Sequence, residues 1–372
     1  MSYLYRLFPP PVYLNFPAVG LDVSDRSIKF VEFAETGEGL RLKKFGKREL
    51  GSGIIVAGEI RKPEEFSSTL ASILKPLGIK HIVAAMPEER AYISVVSLPN
   101  IPKKQAREVI ELELPERIPL PAGETIFDFE FIPRQRIKDK DAVISEDNPE
   151  HSDALVYAFP RSLVEDYLEA YIKAGLIPVS FTMETVSLSR ALMGVGKPSA
   201  PVMIVDFGKT RVSFVVVAEG LTRFSSTVGV AGEALDRAIA KTLNISLEEA
   251  EEVKKEKGMS KPPENKEIFD AVLPIVSAVA DEIEKHILFW NTHAEHVHKS
   301  TPEISKVILS GGDANLTGLT EYLSRILKLP VELGNPWINV ASFEEYIPEI
   351  KLNESLTFSA AIGLGLIAAT GE

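Results

Sequence analysis

Residues 19–33, VGLDVSDRSIKFVEF, and residues 202–217, VMIVDFGKTRVSFVVV, follow one pattern. Each begins as an apolar strand and reaches an aspartate, Asp22 or Asp206. A small residue stands two positions on, Ser24 or Gly208, and the chain returns with apolar residues six, eight and nine after the aspartate. A third strand follows each pair, over 40–50 and 221–227. A strand–acidic turn–strand unit that occurs twice predicts two similar domains facing each other. A hairpin turn of small residues aims backbone N–H groups into one concavity, which suits phosphate. An aspartate at the strand end suits Mg²⁺ held through water, because Mg²⁺ keeps most of its hydration shell. One such turn alone would be a turn initiator. Two of them, with a Gly311-Gly312 strand–helix junction, point to a nucleotide between the domains.

The remaining chain fits a two-domain α/β protein. At 372 residues it exceeds one simple core, and 45% hydrophobic with 25% charged residues describes a globular chain. The net charge of −12 argues against a nucleic-acid partner. Cysteine is absent, which removes disulfides, thiolate metal sites and cysteine nucleophiles, and suits a reducing compartment. No apolar run reaches the roughly 18–20 residues that span a bilayer. The best candidate, Leu356–Ala369, contains Ser359, Gly363 and Gly365 and is expected to be a buried helix. The proline-rich start has too little charge for a signal peptide, and Tyr3, Tyr5, Phe8, Tyr13 and Phe16 are expected to pack as an extended arm. Amphipathic helices are expected at 63–75, 103–117, 161–174, 184–194, 232–243, 246–257, 265–298 and 316–327, and a mobile charged hairpin loop over 133–152.

Several lures fail. Asp206-Phe207-Gly208 spells the kinase metal triplet, but no His-Arg-Asp catalytic loop accompanies it. Gly194-Val195-Gly196-Lys197-Pro198-Ser199 lacks the upstream glycine of a phosphate-binding loop. His293, His296 and His298 read as a solvated helix end, and Glu111, Glu113 and Glu116 as a solvated helix face.

With these residues in place, the chain resembles the actin-like ATPase superfamily, and within it the PilM family of cytoplasmic type IV pilus assembly proteins. GLDVSDRSIKFVEF resembles the first phosphate motif and VDFGKTRVSFVVV the second. LSGGDANLTGL, residues 309–319, resembles the adenosine motif, and AEEVKKEKG, residues 250–258, the nucleotide-base segment. FTMETVSLSRAL (181–192) and SAAIGLGL (359–366) resemble the two connecting helices. Residues 98–132 resemble the family's inserted subdomain.

The resemblance implies two ribonuclease-H-like domains around a nucleotide cleft, with a small α+β insert. The first domain is expected at 1–87, with 181–200 and 340–372 returning to it. The insert is expected at 88–180, and the second domain at 201–339 with a helical part over 230–300. ATP or ADP with Mg²⁺ would meet Asp22, Ser24, Asp25 and Lys29 on one side. On the other it would meet Asp206, Gly208, Lys209, Thr210, Gly229, Gly232, Glu251, Lys254, Ser310, Gly311, Gly312 and Asp313. Asp22 and Asp206 would hold Mg²⁺ through water, and Glu184 falls where the family orients the attacking water. Ser24 replaces a usual glycine, and Lys209 and Arg211 crowd the second loop, so any ATPase activity is expected to be slow. The implied role is a cytoplasmic scaffold. Its partners would be the cytoplasmic tail of PilN, in a groove between the first domain and the insert, and other pilus motor or platform proteins. The membrane would be met only through partners. The alternatives are an FtsA-like cell-division protein, which should end in a basic amphipathic helix, and a small-molecule kinase, which needs a general base for a substrate hydroxyl.

Overall fold

The computed structural model describes residues 17–37, 39–99, 101–132, 151–194, 196, 200–260, 265–293 and 302–371. Two five-stranded sheets dominate. The first contains β1 (Ala18–Val23), β2 (Ser27–Thr36), β3 (Gly39–Glu49), β6 (His81–Met86) and β10 (Ile177–Met183). A small hairpin, β4 (Ile55–Val56) and β5 (Glu59–Ile60), precedes β6. The second contains β11 (Val202–Phe207), β12 (Val212–Ala218), β13 (Leu221–Val228), β14 (Lys306–Ser310) and β15 (Val331–Leu333).

The sheets repeat each other. The order β3-β2-β1-β6-β10 matches β13-β12-β11-β14-β15 strand for strand. In both, the first three strands pair antiparallel and the last two join in parallel. This is the duplication visible in residues 19–33 and 202–217. β1 and β11 are central and buried, which is why they read as continuous apolar runs.

Helices cover the outer faces. α1 (Pro63–Leu74) and α3 (Arg161–Lys173) supply Phe66, Leu70, Leu74, Tyr167 and Tyr171 to the core beneath the first sheet. α5 (Gly232–Leu243), α6 (Leu247–Lys257), α7 (Lys266–His293) and α8 (Leu319–Leu327) surround the second. Between the sheets run α4 (Glu184–Leu192) and α9 (Ser359–Thr370). Their core joins Val31 and Phe33 of the first sheet to Ile204 and Val215 of the second. The approach is close enough that a Cβ on Gly363 would stand 1.8 Å from the Ser187 carbonyl oxygen. The apolar stretch 352–370 is therefore largely interior, as expected for the chain's most hydrophobic segment.

The insert is a three-stranded antiparallel sheet, β7 (Tyr92–Pro99), β9 (His151–Pro160) and β8 (Thr125–Phe131), backed by α2 (Lys103–Arg117). On α2 the core takes Ile110 and Leu114 and leaves Leu112 exposed. Residues 161–180, expected in the insert, belong elsewhere. α3 packs in the first core, and β10 pairs with β6 through the parallel register Ile177↔His81. The charged segment expected over 133–152 ends earlier, because His151 and Ser152 already pair with Pro99 and Leu98. Residues 133–150, the aromatic arm, His296 and His298 lie outside the described residues. The helix expected from residue 316 starts at Leu319, after a 3-10 turn over Gly312–Asn315.

Candidate functional site

A cavity of about 620 Å³ opens between the two sheets. That is within the range of small-molecule sites. Its walls carry seven cations, Arg26, Lys29, Lys47, Lys209, Arg211, Lys254 and Lys255, against six carboxylates, Asp22, Glu184, Asp206, Glu251, Asp313 and Glu354. In a chain of net charge −12 this is a local reversal of sign, and it suits a polyanion accompanied by a metal.

The first wall is built on a hairpin. Ser24 N–H donates to the Ser27 carbonyl at 2.9 Å, closing a two-residue turn over Asp25 and Arg26. That turn sets Asp22 opposite Lys29, and the separate β2–β3 pairing sets Lys29 opposite Lys47, one row across three strands. Lys29 Nζ donates to Asp22 Oδ2 at 3.0 Å. Burial pulls Lys29 down, but the adjacent Asp22 together with Asp206 and Glu184 more than offsets it and raises the ammonium. Lys47 is lowered by burial and by the charge of Lys29. Asp22 is 2% exposed, and its Oδ1 is buried with no hydrogen-bond partner. An acceptor in that state suits a hydrated cation.

The second wall repeats the arrangement. Asp206 stands one residue before the end of β11, and burial raises its carboxyl against the pull of Lys29. The hairpin tip is strapped to α5: Gly232 N–H donates to the Gly208 carbonyl at 3.1 Å, and Glu233 N–H to Lys209 at 2.8 Å. Behind it, Lys254 is 4% exposed and pairs with Asp236 at 2.7 Å and with Asp313. Lys209 joins Asp236 at 2.9 Å and Glu251. Partial burial pushes Glu251 up, but hydrogen bonds from Lys209 and Lys255 prevail and hold it at about 2. Gly311 adopts φ +88°, and a Cβ there would meet the Phe207 carbonyl oxygen at 2.3 Å. Only glycine allows β14 to turn at this point.

Glu184 opens α4 on the cavity floor. Its carboxylate accepts from Arg211 Nη2 at 2.5 Å. Burial raises Glu184, against the pull of Arg211 and with added repulsion from Asp22 and Asp206.

Most expected site residues thus meet in one cavity: Asp22, Ser24, Lys29, Glu184, Asp206, Gly208, Lys209, Thr210, Glu251, Lys254, Gly311, Gly312 and Asp313. Four do not line it. Asp25 turns away and accepts from Ala57 N–H at 3.0 Å and Gly58 N–H at 3.2 Å. Ser310 is fully buried and donates to Ser359. Gly232 backs onto Asp313, where a Cβ would stand 1.8 Å from Oδ2. Gly229 also lies outside the lining. Arg26, Lys47 and Lys255 line the cavity without having been expected there. Lys47 was not readable by counting, because the β2–β3 register shifts between Glu32 and Phe33 and unshifted counting from Thr36↔Gly39 would set Gly46 opposite Lys29.

Two duplicated sheets around a charged cleft define the actin-like ATPase fold. MreB5 of Spiroplasma citri, solved with ADP, is 13% identical with a TM-score of 0.54, over 95% of this chain and 96% of that one. EutJ of Carboxydothermus hydrogenoformans is 16% identical with a TM-score of 0.53, over 96% and 91%. Within this class the chain belongs to the type IV pilus assembly protein PilM family, whose model matches residues 20–368. A solved PilM–PilN type IV pilus biogenesis complex is 22% identical with a TM-score of 0.75, over 95% of this chain and 99% of that one. The cell division protein FtsA of Enterococcus hirae is 22% identical over 240 residues, 59% of this chain and 52% of the relative. The chain spans about half the length of the curated relatives it matches.

Proposed function

We propose that this protein is an ATP-binding scaffold of the type IV pilus assembly complex. The observation that carries the reading is the pair of aspartate turns, Asp22 and Asp206, on opposite walls of one cation-rich cavity. Mg-ATP or Mg-ADP is the ligand that chemistry suits. Asp22, with its unpartnered Oδ1, and Asp206 would hold Mg²⁺ through water. Bound there, Mg²⁺ supplies neutralisation of phosphate charge. Lys29 and Lys47 add charge from the first wall, and Thr210 and the Gly311-Gly312 turn offer close backbone approach from the second. Turnover is slow at best. Ser24 in place of a usual glycine, and the bulky Lys209 and Arg211 beside the phosphates, support that slowness.

The partner we propose is the cytoplasmic tail of PilN, bound between the first domain and the insert. Family membership and the fold likeness to a PilM–PilN complex support it. The protein then acts on the cytoplasmic side, reaching the membrane through partners, including other platform or motor proteins. Mass spectrometry of the nucleotide that copurifies tests the ligand, and capture by an immobilised PilN-tail peptide tests the partner. A nucleotide-free protein that gains no thermal stability from Mg-ATP overturns the first. Equal capture by a scrambled peptide overturns the second.

A further inference from the structure

We propose that Arg211 distinguishes a nucleoside triphosphate from a diphosphate in this cleft, by exchanging the carboxylates of Glu184 and Glu89 for the terminal phosphate. The proposal rests on the nucleotide reading of the cavity and adds its selectivity.

The cations of the second wall divide into two kinds. Lys209 and Lys254 pair with Asp236, Glu251 and Asp313, all on their own side of the cleft. Arg211 instead reaches across it. It leaves the β11–β12 hairpin, lines the cavity and donates from Nη2 to Glu184 at 2.5 Å and from Nη1 to Glu89 at 3.2 Å. Its side chain is only 13% exposed. Arg26, which also crosses, to Glu233, has a side chain 40% exposed. Arg211 is therefore the buried tie between the walls, on the hairpin that ends in Asp206.

One of its partners is poorly satisfied. Glu89 Oε2 is buried with no hydrogen-bond partner. Glu88 beside it is buried and accepts from Thr185 Oγ1 at 2.8 Å. One guanidinium thus serves a crowd of carboxylates, and its planar fork matches a phosphate as well as it matches them. A terminal phosphate at the floor between the two hairpins competes for that fork with more charge than a carboxylate has. A chain one phosphate shorter leaves Arg211 with Glu184 and Glu89. Glu89 lies in the 3-10 turn over Glu88–Arg90 that leads into β7, so the exchange is felt at the root of the insert.

The test measures Mg-ATP and Mg-ADP affinity by calorimetry for the wild type, Arg211→Gln, Arg211→Lys and Glu89→Gln. The wild type should prefer ATP. Arg211→Gln should erode that preference by about tenfold, the scale of one charge-assisted hydrogen-bonded pair, and Arg211→Lys should fall between. Glu89 does not line the cavity. Glu89→Gln removes a competitor for the fork, and should tighten ATP several-fold while leaving ADP unchanged. If Arg211→Gln fails to fold, Glu89→Gln decides alone. Equal loss of both nucleotides in Arg211→Gln, or an unmoved ratio in Glu89→Gln, overturns the role of Arg211 and leaves the nucleotide reading standing. A wild type that binds both nucleotides equally does the same. A wild type that binds neither overturns both.

Discussion

At the scale of single residues the cleft is a set of buried carboxylates held near cations, and this makes two outcomes predictable. Asp206 is raised by burial, so its charge costs the empty protein stability. Asp206→Ala should fold at least as well as the wild type without nucleotide. At one hundred times its Kd, Mg-ATP should stabilise the wild type by about 2.7 kcal/mol and leave the variant unmoved. Chemical denaturation with and without nucleotide measures both, and an unchanged nucleotide response in the variant refutes the role of Asp206. The second outcome is a pH dependence. Burial raises Glu88, Glu184, Asp206 and Asp313 above their ordinary values. An acid raised on folding contributes stability that is complete below its unfolded value, near 4.5 for a glutamate, and that is lost as pH rises through the folded value. The nucleotide-free protein should thus lose stability from mildly acidic pH through neutrality and above. Glu184→Gln should flatten the slope. Denaturation midpoints that rise with pH over this range would contradict the cause assigned here.

The elements show which features a sequence can reveal. The apolar runs in residues 19–33 and 202–217 are enough to predict both central hairpins, because strands buried on two faces have a continuous apolar signature. Glycine at 311 and the aspartates at 22 and 206 are likewise legible, since their chemistry depends on local turn geometry. What stays hidden depends on contacts remote in sequence. Asp25 looks like part of a phosphate turn, but the β4–β5 hairpin arrives with the Ala57 and Gly58 N–H groups and takes its carboxylate. Lys209 and Arg211 look like free cations until Asp236, Glu251, Glu89 and Glu184 appear beside them. β10 reads as part of an insert because the partner that claims it, β6, lies 96 positions earlier at the pair Ile177↔His81. The crossing of α4 and α9 is equally non-local and gives a sharp prediction. A Cβ on Gly363 would sit 1.8 Å from the Ser187 carbonyl oxygen, whereas one on Gly37 meets nothing within 4 Å. Gly363→Ala should destabilise the protein by about 3 kcal/mol or more, and Gly37→Ala should be close to neutral. Equal urea midpoints for the two variants would mean that the helices are not packed backbone to backbone.

For the whole molecule, the question is whether the cleft and the insert act as one system. The two sheets meet through α4 and α9, and the core there draws on both of them. Arg26 reaches Glu233 across the opening, at 2.6 Å, and Arg211 reaches Glu89 and Glu184 beneath it. Glu89 is three residues before the start of β7, the strand that pairs with β9 in the insert. A ligand that changes how the walls sit on each other therefore changes the surface between the first domain and the insert. Thermodynamic linkage then imposes a symmetry. Any factor by which Mg-ATP tightens the proposed PilN-tail peptide must equal the factor by which that peptide tightens Mg-ATP. A coupling of about tenfold corresponds to roughly 1.4 kcal/mol, and it must come from differential contacts in the two closure states. Calorimetric titration of each ligand in the presence and absence of saturating partner measures both legs of the cycle. Glu89→Gln should reduce the coupling, because it cuts the link between the cavity floor and β7 without touching either ligand. Two affinities that are independent of each other would make the nucleotide a structural ligand of the fold, with partner capture governed by the insert alone.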